Sequence, residues 1–484
     1  MFRTSMLIAL SRTITSGVAA EAPTSEVSGE ASQRYIIALR ERAPAAVPRL
    51  AHSVADSYDL KVLNTYDTAL GGFLAEVPES YVERVSRDPR VRFLERDMPV
   101  SMPASSFFSG STIFNTSSGS HNLTYLDRLD EFSASTLDNR YSSCDVGAGV
   151  PLYILDIGVD FSHPEFAGRS TFVENGLTKW HQYWFYDDSA AGIYGRETPC
   201  SWAPDAWHGT AVASIAAGSN IGVAPAAEVV SLIIGDCLYR SSISAIIGAL
   251  NWIISSNPAT DTRLATTYRG LPVNPYLGQT AVLNWSGFQV SENDNYSGSP
   301  SLTQSLVDVK NAGVTIVTSA DNYATNACGT GFKPNALSLQ GVLLTVGATE
   351  INGTADERWR EGDVPNVAES GSNSGECVSL WAVGASVLSA RHSAHSDDYA
   401  YFSGTSFAAP VVAGVAASYI DDFRKRLGYD PTPDYLMNDL VTDSIKTDSS
   451  GQPLIKFTTT PDGYSSSAGM VFWEGGCRRR ATLH

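Results

Sequence analysis

The chain has 484 residues, 43% hydrophobic and 17% charged, with a formal net charge of −18. That length is too great for one small domain, and the composition is not that of a disordered chain. The acidic excess counts against nucleic acid and anionic membrane as partners and suits a soluble, dispersed protein.

Residues 1–20, MFRTSMLIALSRTITSGVAA, read as a signal peptide. Arg3 is the early positive charge, Met6 to Leu10 the apolar stretch, and Val18-Ala19-Ala20 the small-residue cleavage signal. Ser11 to Ser16 interrupts the apolar middle. Residues 21–33 are polar and small, a flexible leader. RYIIAL (34–39) then has strand character, and 47–60 has helical spacing at Leu50, Val54 and Tyr58. KVLNTY and GGFLAEV predict two strands, 79–88 a short helix and VRFLERD (91–97) a last strand. The order β-α-β-β-α-β is that of a small ferredoxin-like unit. Residues 98–120 lack periodicity and are rich in Ser, Gly and Pro, an exposed linker.

Beyond residue 120 the pattern alternates. PLYILD (151–156), AEVVSLII (227–234), TAVLNW (280–285), GVTIVTSA (313–320) and GVLLTVGA (341–348) are buried-strand runs. Helices are predicted at 207–217, 242–255 and 300–311. The sum is an α/β domain, doubly wound around a mostly parallel sheet. Such folds bind ligands at the carboxyl ends of their strands, where Asp156, Asp321-Asn322 and the helix start at Ser406 fall.

Three stretches carry the chemistry. LDIGVDFSHPEF sets Asp156 at a strand end, WHGTAVAS sets His208 at a helix start, and GTSFAAP sets Ser406 at another. A serine hydroxyl becomes a nucleophile when histidine takes its proton and a carboxylate fixes the imidazole tautomer. Capping alone explains a Ser at a helix start, but not the Gly-Thr before it or Ala408 and Ala409 behind it. A lipase or esterase would show G-x-S-x-G and the order Ser, Asp, His; neither surrounds Ser406.

On these motifs the chain resembles the subtilisin-like serine peptidases, the subtilases, and among them the proteinase K and aqualysin type. The resemblance covers roughly residues 34–445 and its order is Asp, His, Ser. It implies that Ser406 is the nucleophile, His208 the general base and acid, and Asp156 the residue that orients His208. It implies that Asn322, in GVTIVTSADN, donates to the oxyanion together with the Ser406 backbone N–H. Backbone around Ser286 and Gly287 would pair with an extended peptide, and Trp285 and Phe288 are core or pocket wall. RYIIAL through VRFLERD resembles the family's inhibitory propeptide, which makes the protein's own N-terminal unit its inhibitor. Protein or peptide substrates are implied, and no cofactor is required.

The resulting map is a signal peptide at 1–20, a propeptide at 34–100 and a linker with the activation cleavage at 101–120. A catalytic domain at 121–445 and an extension at 446–484 follow. The resemblance pairs Cys200 with Cys237 and Cys328 with Cys377, leaving Cys144 with Cys477; six cysteines allow 15 connectivities. Secretion fits these disulfides and the sequons at Asn115, Asn122, Asn295 and Asn352, which imply a glycoprotein. Asn284 also heads a sequon but lies in an apolar strand.

Departures from the family pattern bear on activity. Ile157 stands where a hydroxyl residue is usual, Ala211 replaces a second histidine, and Asp321 takes a glycine position. Asp321 tolerates positive φ better than most residues, and its carboxylate is expected to point away from the oxyanion. These departures motivate the alternative, an impaired subtilase fold acting as a binding module. His163 is read as structural, His392 and His395 as solvated, and Trp202 and Trp207 as packing residues. The pairs Asp187-Asp188 and Asp397-Asp398 are read as solvated, with structural calcium the other option.

Overall fold

The computed structural model describes residues 32–101, 108–114, 123–130, 137, 141, 145–169, 171–174, 177–180, 182–186, 208–236, 240–257, 273–286, 289–290, 298–328, 334–350, 371–391, 399–444, 468, 470, 471 and 473. The signal peptide, the sequons at Asn115, Asn122, Asn295 and Asn352, and Cys144, Cys200, Cys237 and Cys477 fall outside them. So do Gly287, Phe288, Trp202, Trp207, His392, His395 and both acidic pairs.

The N-terminal unit runs β1 (Ser32–Leu39), α1 (Val47–Tyr58), β2 (Lys61–Tyr66), β3 (Gly72–Pro78), α2 (Val82–Ser86) and β4 (Val91–Arg96). Its sheet has the order β2-β3-β1-β4, antiparallel throughout. Strand alternation gives this small sheet two apolar faces. Tyr35, Ile37 and Leu39 join Val54 and Val85 in the unit's own core. Ile36 and Ala38 belong instead to a cluster with Leu250 and Leu306 of the larger domain.

The rest of the chain runs β5 (Pro99–Ser101), β6 (Phe108–Phe114), α3 (Thr124–Asp130), β7 (Pro151–Asp156), β8 (Thr171–Glu174), β9 (Leu177–Trp180), β10 (Gln182–Trp184), α4 (His208–Ala217) and β11 (Glu228–Ile233). Then come β12 (Arg240–Ser242), α5 (Ile243–Ile254), β13 (Ala281–Trp285), β14 (Gln289–Val290), α6 (Pro300–Asn311), β15 (Val314–Ser319) and β16 (Leu344–Thr349). Last are β17 (Leu380–Val383), β18 (Val387–Ala390), β19 (Tyr399–Ser403), α7 (Thr405–Leu427) and α8 (Pro433–Thr442). Seven strands form one parallel sheet, ordered β10-β11-β7-β13-β15-β16-β17. One face packs with α4 and α7, the other with α5 and α6.

The N-terminal unit sits on the α5–α6 face, and its acids meet helix starts, where backbone N–H groups lack intrahelical acceptors. Asp97 Oδ1 accepts from the Ser244 N–H at 2.9 Å, and Glu95 Oε2 from the Ser301 N–H at 3.0 Å. Asn251 Oδ1 accepts from the N–H groups of Thr68 and Ala69 at 2.9 and 3.0 Å. Arg42 pairs with Asp308.

Two readings need correction. Residues 98–120 are not an aperiodic linker throughout. Pro99–Ser101 is the middle strand between β12 and β14, and Phe108–Phe114 pairs antiparallel with β19. Their strand character comes from distant partners, which local composition does not report. Nor is 446–484 wholly outside the catalytic fold. Met470 bridges to Trp381, the Trp473 N–H donates to the Leu129 carbonyl at 2.7 Å, and the Trp473 ring lies 5.9 Å from that of Tyr419. Met470, Val471 and Trp473 are all in the main core. Trp473→Ala is expected to cost about 3–5 kcal/mol, measurable by denaturant unfolding.

Candidate active site

The site is built at the carboxyl edge of the parallel sheet. Strand β7 is buried along its length between β11 and β13 and ends at Asp156. That carboxylate is 1% exposed, so each oxygen needs a partner. Oδ1 accepts from the Ile157 N–H at 2.8 Å, and Oδ2 lies 2.7 Å from His208 Nδ1. A backbone amide thus holds the carboxylate although residue 157 has no hydroxyl.

His208 is the first residue of α4, and its neighbours explain the motif. A methyl group on Gly209 would stand 2.3 Å from the Gly158 carbonyl and 3.1 Å from Asp156 Oδ1, so only glycine lets α4 approach this closely. Thr210 Oγ1 accepts from the Asp160 N–H at 2.9 Å, tying the helix to the loop after β7. Ala211 is fully buried in the core.

Ser406 is the second residue of α7 and is 2% exposed. Gly404 before it has φ 152°, a region closed to side chains. The helix start fits tightly, because a methyl on Gly384 would lie 2.8 Å from the Gly404 carbonyl and 3.0 Å from Ala408 Cβ. That crowding accounts for the run of small residues behind the serine. Pro410 removes the helix bond to the Ser406 carbonyl. The Phe407 ring lies 5.6 Å from the His208 ring, so the two helix starts share an aromatic contact.

Asn322 follows β15 by three residues. Its Oδ1 accepts from the Thr405 N–H at 2.9 Å and from Thr405 Oγ1 at 2.8 Å. A backbone N–H can only donate, which fixes the orientation of the amide. Nδ2 is then turned to the start of α7, 3.4 Å from where a Gly404 Cβ would be. Asp321 has φ 77°, the left-handed conformation that a glycine there would adopt. Its carboxylate approaches Asn335 Nδ2 at 3.5 Å, while the Asn322 side chain crosses to Thr405.

Ser286 is fully buried and its Oγ accepts from Asn284 Nδ2 at 3.1 Å. Asn284 and Trp285 are buried too, and Trp285 is core. Pro99–Ser101 pairs with Gln289–Val290 and with Arg240–Ser242, its buried Val100 in register with Ser241 and Val290. Arg240–Ser242 carries no sequence signal of its strand, because a three-residue edge has no periodicity of its own. His163 accepts from the Glu165 N–H at 3.2 Å and packs edge-on to Tyr399. Cys328 and Cys377 form a disulfide with a Cα–Cα distance of 5.4 Å. Among the described residues no group of three or more His, Cys, Asp or Glu is placed to hold a metal, and no helix is long and apolar enough to cross a membrane.

Comparison with known proteins places two families on this geometry. The subtilase family matches residues 147–453, and the peptidase inhibitor I9 family matches 34–103. The chain is 31% identical over 362 residues to the extracellular serine proteinase of Thermus sp. (strain Rt41A), covering 74% of this chain and 68% of that one. It is 29% identical to the alkaline serine exoprotease A of Vibrio alginolyticus, covering 75% of this chain and 54% of the relative. The crystal structure of fervidolysin from Fervidobacterium pennivorans, a keratinolytic enzyme related to subtilisin, aligns with a TM-score of 0.57 over 93% of this chain and 61% of that one. At 15% identity that likeness shows the fold.

Proposed function

The chain belongs to the subtilase family, as a serine endopeptidase preceded by an inhibitory propeptide, and from that premise we propose that Asp156, His208 and Ser406 are its catalytic triad. The observation that carries the assignment is the 2.7 Å contact between Asp156 Oδ2 and His208 Nδ1. It sets the proton on Nδ1 and leaves Nε2 as the base for the Ser406 hydroxyl. Ser406 Oγ attacks the peptide carbonyl and His208 passes the proton to the leaving amine. Water then releases the acyl group by the reverse roles.

Asn322 Nδ2 and the Ser406 N–H are the proposed oxyanion donors. The amide orientation imposed by Thr405 supports this role, because the donor is set before charge develops. Asn322→Ala is expected to lower kcat by about 10²–10³ with KM little changed, the size of the effect when subtilisin loses its oxyanion-hole asparagine. Steady-state kinetics on an oligopeptide substrate checks it.

The N-terminal unit is proposed to inhibit by strand addition, with Pro99–Ser101 occupying the cleft until cleavage. Phe108 pairs with Ser403, three residues before Ser406, so the activation cut is proposed between Ser101 and Phe108. A monomeric, secreted, glycosylated enzyme acting on proteins or peptides is proposed, consistent with the extracellular name of the Thermus relative. The proposed chemistry calls for no cofactor. The binding-module alternative rests on Ile157 and Asp321, and no contact described for either residue favours it.

A further inference from the structure

We propose that Asn373 is a positioning residue for the oxyanion site, acting on Asn322 from the side opposite the nucleophile helix. The inference rests on the reading of Asn322 as the oxyanion donor.

The loop after β15 is costly to hold. Asp321 and Ala324 both have positive φ, 77° and 55°, and neither is glycine. Such residues persist only where their surroundings over-determine them. Asn373 is fully buried and supplies that constraint. Its Oδ1 accepts from the Tyr323 N–H at 3.1 Å, the Thr325 N–H at 3.0 Å and Thr325 Oγ1 at 3.3 Å. Its own N–H donates to the Asp321 carbonyl at 2.8 Å. One residue therefore grips the backbone immediately before and after Asn322.

The neighbouring chain completes the clamp. The Gly371 N–H donates to the Asn322 carbonyl at 3.0 Å, the Ala324 N–H to the Gly371 carbonyl at 2.7 Å, and the Ser374 N–H to the Thr325 carbonyl at 2.9 Å. The Cys328–Cys377 disulfide joins the same two segments. Asn322 is thus held by backbone and Asn373 on one side and by Thr405 through its side chain on the other. A shift of the loop moves Nδ2 relative to the Ser406 N–H. A misplacement of about 1 Å can cost about 10²-fold in rate.

Asn373 Nδ2 is buried and has no hydrogen-bond partner among the described residues, so only the acceptor oxygen is used. A purely space-filling role would place no such demand on the oxygen.

The test is a double-mutant cycle on the self-matured enzyme, with active centres titrated by a fluorophosphonate. Asn373→Ala is expected to lower kcat about 10–100-fold with KM little changed. In the Asn322→Ala background, Asn373→Ala is expected to change kcat less than about 3-fold, because the donor it positions is already gone. A full, multiplicative loss in that background, or a loss confined to KM, overturns the proposal. If Asn322→Ala alone leaves kcat unchanged, the oxyanion reading itself fails and takes this one with it. Should Asn373→Ala not fold, Thr325→Val removes one of the three donors. It is expected to lower kcat about 2–5-fold in wild type and not in Asn322→Ala, and equal losses in both overturn the proposal.

Discussion

Ser406→Ala is expected to leave full-length precursor that neither hydrolyses peptides nor sheds its N-terminal unit. The expected loss of kcat is about 10⁶-fold, the size of the effect when subtilisin loses its serine, because the nucleophile acts as a unit with its base. The variant should still fold, since alanine at the second position of α7 removes one hydroxyl and leaves the packing of Gly384, Gly404 and Ala408 intact. The processing defect follows from the same chemistry if the cut between Ser101 and Phe108 is made by the protein's own serine. Gel mobility and intact mass of the purified variant check it. Adding trace wild-type enzyme should then release the propeptide, which separates lost chemistry from a misfolded linker. Processing of the isolated variant at the normal rate would show that another peptidase makes the cut.

Asp156→Asn is the second large effect. The carboxylate accepts on both oxygens, from the Ile157 N–H and on the His208 Nδ1 side. An amide placed here either presents N–H hydrogens to His208 Nδ1 or loses its bond to residue 157. The first choice moves the imidazole proton to Nε2, where it cannot take the serine proton. A loss of about 10⁴-fold in kcat is expected, as for the corresponding change in trypsin, with KM and melting temperature close to wild type. A loss below about 10-fold would mean that His208 is oriented by something other than Asp156. Kinetics and thermal unfolding on the same preparation decide between these.

The parts of the site legible in the sequence were those whose chemistry demands particular residues next to one another. The glycine of WHGT has to be small because Gly209 lies against the Gly158 carbonyl, and Gly404 and Ala408 are small because Gly384 crosses there. Buried parallel strands were legible because both faces are covered, so PLYILD and VTIVTS carry no polar alternation. Edge strands were not. Gln182–Trp184 and Leu380–Val383 flank the sheet and are too short or too mixed to stand out. The same holds for Pro99–Ser101 and Arg240–Ser242, whose strand state rests on pairing with each other and, for Pro99–Ser101, with Gln289–Val290. Trp473 reads as part of a tail because its partners, Leu129 and Tyr419, lie far back in the chain. Asn373 reads as one polar residue in a polar stretch, since its role lies in contacts with a loop some fifty positions earlier.

Asp321 shows how the two levels meet. Its position demands positive φ, which the residue type tolerates, and the 77° angle is the result. Its carboxylate faces Asn335, while the Asn322 side chain is held by Thr405.

The measurement that tests the account most directly is reaction of the purified, self-matured protein with a fluorophosphonate, read by intact mass and peptide mapping. A single adduct on Ser406 is expected, on a chain whose new N-terminus lies between Ser101 and Phe108. A folded, full-length protein that remains unlabelled at Ser406 would contradict it.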